Sequence, residues 1–114
     1  MRLAANGVSA LCLADTNRLG LYNTANTLRA TYAETSLLLV AVDITNEELV
    51  TKGIAEAVAK FGRIDIAIHA AGIGDVQKPT HEVSMEEWTR IIDVNQKGTW
   101  LCQRAVLRQM MKQE

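Results

Sequence analysis

The run LLLVAV, residues 37–42, restricts the fold more than any other stretch of the chain. It is apolar at every position instead of alternating, so the strand it forms is covered on both faces. Parallel sheets with helices on either side have such strands. VSALCLA, residues 8–14, lies between Gly7 and Asp15 and reads as a second buried strand. IDIAIH, residues 64–69, reads as a third, ended by Ala70, Ala71 and Gly72. Helical stripes separate the strands. Leu21, Ala25, Leu28 and Tyr32 recur along one helix face, and Val50, Ile54, Ala57, Val58 and Phe61 form another that Gly62 terminates. Thr45-Asn-Glu-Glu48 and Ser84-Met-Glu-Glu87 each have the form of a capping box. The second opens a helix predicted to reach Lys112, about 40 Å long at 1.5 Å per residue. Alternation of this kind predicts an α/β fold, a doubly wound parallel sheet with three strands and three to four helices. The connections are short, so residues 1–114 are expected to form a single domain.

Composition narrows the function. A formal net charge of -1 over 114 residues offers no basic surface for nucleic acid or an anionic membrane. The opening MRLAANGVSA is interrupted by Asn6, Gly7 and Ser9, which is unlike the core of a secretion signal. No apolar stretch approaches the roughly 18 residues of a membrane span. Cys12 and Cys102 have neither a CxxC pattern nor metal-ligand spacing. They are expected to be buried, reduced thiols in a cytoplasmic protein, and no metal site is expected.

Gly72-Ile-Gly74 invites comparison with the phosphate-binding GxGxxG, but the third glycine position holds Gln77. Asp75 and Pro79 follow, and no helix signal appears before Ser84. A pyrophosphate loop leads directly into a helix N-terminus, so the motif is rejected as that site. Asp15 and Asp43 each end a strand. Taken alone, each reads first as a strand-end or helix-capping aspartate. Together with Gly72 they mark the carboxyl ends of three successive strands, where doubly wound sheets bind ligands.

Asp15, VDIT (42–45), FGRIDIAIHAAG (61–72) and DVNQKG (93–98), in that order and at that spacing, resemble the short-chain dehydrogenase/reductase family over nearly the whole chain. The stretch from Gly98 onward further resembles fungal members from secondary-metabolite pathways. The resemblance implies a partial Rossmann-like fold and an oxidoreductase that moves a hydride between NAD, or NADP, and a secondary alcohol or ketone. Asp15 matches the residue that holds the adenosine ribose and favours NAD, with Arg18 nearby to soften that preference. Asp43 and Ile44 match the pair that holds the adenine. Ala70, Ala71 and Gly72 match the backbone that approaches the cofactor, although His69 and Ala70 replace the family's asparagines. Asn95 matches the helix asparagine of the catalytic tetrad.

The resemblance also implies what is missing. The chain is expected to start after the family's first strand and glycine-rich turn, and to stop before its Ser and Tyr-x-x-x-Lys. Neither tyrosine opens that motif, because Asn26 follows Tyr22 and Ser36 follows Tyr32 at the lysine position. The chain alone is therefore expected to be inactive and marginally stable, with either a gap in its sheet or a direct meeting of residues 8–14 with 64–69. The alternative is a non-catalytic remnant that joins an intact homologue. The long helix is apolar on several sides, through Trp88, Ile91, Trp100, Leu101, Val106 and Met110. Residues 85–112 are thus the expected surface for homo-oligomers or other association.

Overall fold

Two short strands carry the sheet. In the computed structural model, which describes residues 1–74 and 77–113, β1 (Ala10–Asp15) and β2 (Ser36–Ala41) pair in parallel, from Ala10 opposite Ser36 to Asp15 opposite Ala41. A short helix, α1 (Arg2–Ala5), precedes them. Side chains alternate along a strand, so Leu38, Val40 and Val42 share one direction. Val40 and Val42 are buried there with Val50, and Ile44, Cys102 and Ala105 pack around them. Val50 belongs to α3 (Glu47–Phe61), whereas Cys102 and Ala105 belong to α5 (Thr99–Met110). The other helix, α2 (Arg18–Thr31), packs on both strands and buries Leu21, Ala25 and Leu28. Each of these was on the expected stripe. The sheet is thus doubly wound around a parallel pair, the α/β class that the continuous apolar runs predict. No helix among the described residues is long and apolar enough to cross a membrane.

The caps explain where the helices begin and end. Ser84 forms the expected capping box: its hydroxyl accepts from the Glu87 N–H at 3.2 Å, and Glu87 Oε2 accepts from the Ser84 N–H at 2.9 Å. Gly62 ends α3 at φ 85, a conformation that glycine adopts without a Cβ clash. The box expected at Thr45 is not formed. Asn46 caps α3 instead, accepting from the Leu49 N–H at 3.1 Å. The cause is Asp43, whose carboxylate engages both the hydroxyl and the N–H of Thr45.

The long helix runs as α4 (Met85–Ile92), a π-helical turn (Asp93–Gly98) and α5, ending at Met110 instead of Lys112. The wider turn lies within DVNQKG, and such turns often mark functional sites.

Ile64–His69 does not join the sheet. Among the described residues the sheet has two strands, and residues 63–70 have no regular hydrogen-bonded structure. Of the two expected outcomes, a gap beside β1 is the one found. Ile66 and Ile68 are consequently 63% and 67% exposed. Cys12 is also exposed, contrary to the buried thiol expected, and among the described residues β1 has no second neighbouring strand. Neighbouring atoms still desolvate its sulfur, and with Glu56 they push the thiol above its ordinary pKa.

The openness is measurable. The accessible surface is 8174 Å², against roughly 6200 Å² for a compact chain of this mass. The radius of gyration is 16.0 Å, against about 13 Å for a compact domain of this length.

Candidate functional site

Both strands end in the same local device. At the end of β1, Asp15 Oδ1 accepts from the Asn17 N–H at 2.9 Å, and Asn17 in turn caps α2 by accepting from the Gly20 N–H at 2.9 Å. Just beyond β2, Asp43 Oδ1 accepts from the Thr45 N–H at 2.9 Å and from the Thr45 hydroxyl at 2.8 Å. These bonds, the backbone one first, hold the Asp43 carboxyl below the usual carboxylate range. In both turns Oδ1 is committed, and Oδ2 has no partner among the described residues.

The two turns open onto one cleft of about 1020 Å³, at the upper end of the roughly 300–1000 Å³ typical of ligand sites. Asp15, Asp43, Ile44, Ala70, Ala71 and Gly72 all line it, so the six expected cofactor contacts meet on one rim. Asp75, which follows the two glycines, lies outside the described residues. Among the described residues, the next helical element after Gly74 begins at Thr80.

Asn95 is placed differently. It does not line the cleft but holds the rim from the helix side. Its Oδ1 accepts from the Ile73 N–H at 2.8 Å, and its Nδ2 donates to the Ile73 carbonyl at 2.9 Å. Gly72 eases this approach, since a Cβ there would lie 3.3 Å from Asn95 Oδ1, a tight contact. The other end of the segment is held in the same way. Gln113 Oε1 accepts from the Ile64 N–H at 2.8 Å, and Gln113 Nε2 donates to the Ile64 carbonyl at 2.8 Å.

Sequence reasoning missed one wall. Glu86, Arg90 and Val94 line the cleft from α4 and the π turn, with Asp93 beside them. Their four-residue spacing is the signal that could have found them, since residues 86, 90 and 94 share a helix face. Below the cleft, Gly98 is buried against Ile44, whose Cγ1 would lie 2.7 Å from an added Cβ. Beside the cleft, Lys78 and Ser84 hydrogen-bond Glu87 and pull its carboxyl from 4.5 down to about 2, with the Lys78 bond the largest cause.

A parallel sheet wound on both faces, with a cleft at its carboxyl ends, is the arrangement in which α/β folds place their ligand sites. The chain belongs to the short chain dehydrogenase family, whose family model matches residues 1–114. It is 34% identical over 113 residues to the short-chain dehydrogenase anuF of Penicillium roqueforti, covering 96% of this chain and 41% of that protein. Among solved structures, levodione reductase superposes with a TM-score of 0.94 at 30% identity, over 98% of this chain and 43% of its own. A 3-ketoacyl-(acyl-carrier-protein) reductase from Brucella melitensis, solved with NADH, superposes with a TM-score of 0.86 at 30% identity, over 97% and 43% of the two chains. The chain spans between 28% and 42% of the length of the curated relatives first matched.

Proposed function

We propose that residues 1–114 carry the nucleoside-binding part of the NAD(P) site of an oxidoreductase acting on a secondary alcohol or ketone. The observation that carries this reading is the convergence of Asp15, Asp43 and Gly72 on one cleft at the strand ends. Oδ2 of Asp15 is free to accept from ribose hydroxyls, and its charge disfavours a 2′-phosphate, so NAD is preferred over NADP. Asp43 and Ile44 hold the adenine edge and face. The Ala70–Gly72 backbone supports the cofactor, and Asn95 keeps that backbone in place. When bound, the nicotinamide supplies the hydride acceptor or donor. Within these 114 residues no tyrosine opens a Tyr-x-x-x-Lys, so no proton donor of that type serves the carbonyl. We therefore expect no turnover from residues 1–114 alone.

Titration with NAD and NADP, followed by backbone amide NMR shifts, tests the binding claim. NAD is expected to shift Asp15, Asp43 and Ala70–Gly72, about tenfold more tightly than NADP, a difference of about 1.4 kcal/mol. Asp15→Asn is expected to remove that preference. Shifts confined to other residues, or none at millimolar NAD, would overturn the site. Hydride transfer to or from any of a panel of alcohols and ketones, read as nicotinamide absorbance, would overturn the inactivity.

A second reading rests on a different observation. Trp88, Trp100 and Leu107 on the long helix are 56%, 52% and 50% exposed. We propose that this face associates with a second subunit or an intact relative. Sedimentation of the chain as a strict monomer, with no co-purifying homologue, would remove this reading.

A further inference from the structure

The helical wall of the cleft carries a cation that its own helix leaves unused. Arg90 lines the cleft and is exposed. Three carboxylates stand where a helix can pair with it: Glu86 four residues before, Glu87 three before and Asp93 three after. Glu87 is engaged by Lys78 at 2.6 Å, and Asp93 by Lys97 at 3.5 Å. Glu86 precedes Arg90 in the order that favours an ion pair. Even so, among the described residues Arg90 makes no ion pair and no side-chain hydrogen bond.

Its place along the wall sets what it can meet. Gly98 is packed against Ile44 at the cleft floor, where an added Cβ would lie 2.7 Å from Ile44 Cγ1. Counting back from Gly98, Val94 and Arg90 follow up the wall, each step about 6 Å at 1.5 Å per residue. Both line the cleft with Ile44 and Asp43. A flat group seated on Ile44 and Asp43 therefore has the helix as its facing wall, with the long Arg90 side chain over its outer part. Asp15 ends β1, one strand further over.

Charge decides which part of a nucleotide Arg90 meets. It is the one Lys or Arg among the described residues that line the cleft, against Asp15, Asp43, Glu86 and Asp93. A phosphate seated there would face four carboxylates with one guanidinium to offset them. A purine carries no charge and offers two flat faces. A guanidinium is planar, weakly hydrated and suited to stacking on such a face, and the contact strengthens where water is displaced.

We propose that Arg90 is a specificity-determining residue of this cleft: its guanidinium lies flat on the purine of the bound nucleotide and closes the mouth over it. The proposal rests on the nucleoside-binding reading and adds the residue that selects the base. A purine presents two fused rings to the guanidinium, whereas a pyrimidine presents one and gains less.

The test uses the whole chain with adenosine, cytidine, NAD and NADP, followed by NMR. On adding adenosine, the Arg90 Cδ–H and Nε–H signals are expected to move upfield, as protons above a ring face do. This readout needs no variant. Arg90→Lys keeps the charge and loses the plane. It is expected to weaken adenosine and NAD by the same factor, about three- to tenfold, and to narrow the preference for adenosine over cytidine. A larger loss for NAD or NADP than for adenosine would assign Arg90 to a phosphate and overturn the proposal. So would undiminished adenosine binding in Arg90→Lys, or an Arg90 signal that stays in place as adenosine binds. The two readings fail differently. If NAD shifts Asp15 and Asp43 while Arg90 neither moves nor matters, the nucleoside site stands and this proposal falls. If no nucleotide shifts Asp15 or Asp43, both fall.

Discussion

β1 and the 64–73 segment border the same opening, yet they are held by different means. β1 is fixed along its length by a parallel ladder and by α2 packed across it. The 64–73 segment is fixed at its two ends by carboxamides and lacks a ladder between them. An asparagine or glutamine side chain presents the same donor and acceptor as a peptide group. Asn95 and Gln113 thus stand in for a neighbouring strand at one residue each. The contrast teaches that straight backbone does not require a sheet, but burial does. The ladder side holds the core, whereas the clasped side leaves Ile66 and Ile68 in solvent.

Leu28→Ala should break the ladder side most severely. Leu28 is 1% exposed, and truncating a buried leucine costs about 2–5 kcal/mol. In a chain this open, that loss is expected to abolish a cooperative urea transition. A loss below about 1 kcal/mol would show that α2 does not carry the core.

The division between the two sides was partly legible. Leu21, Ala25 and Leu28 announced α2 because burial follows helical period, and LLLVAV announced β2 because nothing polar interrupts it. Ile64–His69 was read as a strand for the same reason, and there the pattern reported what the segment suits, not whether a neighbour is present. Asp15, Asp43 and Gly72 were legible from the ends of the apolar runs, whereas Ile44, Ala70 and Ala71 came only with the family resemblance. The clasps were not, since Asn95 meets Ile73 across 22 positions and Gln113 meets Ile64 across 49. No local pattern marks such a pairing. The Thr45 box failed because Asp43, two residues earlier, competes for the same hydroxyl.

Gly98→Ala tests the junction between the two sides, where the π turn meets Ile44. The added methyl would lie 2.7 Å from Ile44 Cγ1 and 3.3 Å from the Asp93 carbonyl oxygen. Overpacking of this kind costs about 1–3 kcal/mol. We expect a lower urea midpoint and NMR shifts at Ile44 and Asp43. An unchanged midpoint would mean that the helix and the cleft floor move apart freely.

Gln113→Leu releases one clasp and leaves the ladder intact. Three hydrogen bonds, two with Ile64 and one from Gln109 Nε2, at about 0.5–1.5 kcal/mol each set the upper range of the loss. The sharper readout is hydrogen exchange, expected to quicken at Ile64 and not at Leu11 or Leu13. Equal quickening at all three would merge the two sides into one cooperative unit.

Acid should loosen the clasped side through Glu87, which ties Lys78 to the start of α4. Its pKa is lowered in the folded chain, from 4.5 to about 2. The contribution is therefore fully present above pH 4.5 and is lost as pH falls toward 2. We expect the Glu87 carboxyl to titrate near 2 by NMR, and Lys78→Met to move that midpoint upward. A midpoint already near 4.5 in the unaltered chain would show that the Lys78 and Ser84 bonds are not kept in solution.

Ile66→Ala should have the smallest effect and separates the two sides most cleanly. Ile66 and Leu28 are both large aliphatic residues, and chemistry alone would give their truncations similar costs. The difference lies in burial, 63% exposed against 1%. A side chain already in water loses little by being shortened, so the change is expected to stay within about 0.5 kcal/mol. A cost above about 1 kcal/mol would mean that Ile66 is covered in solution, and that residues 64–70 had closed onto β1 or onto another chain.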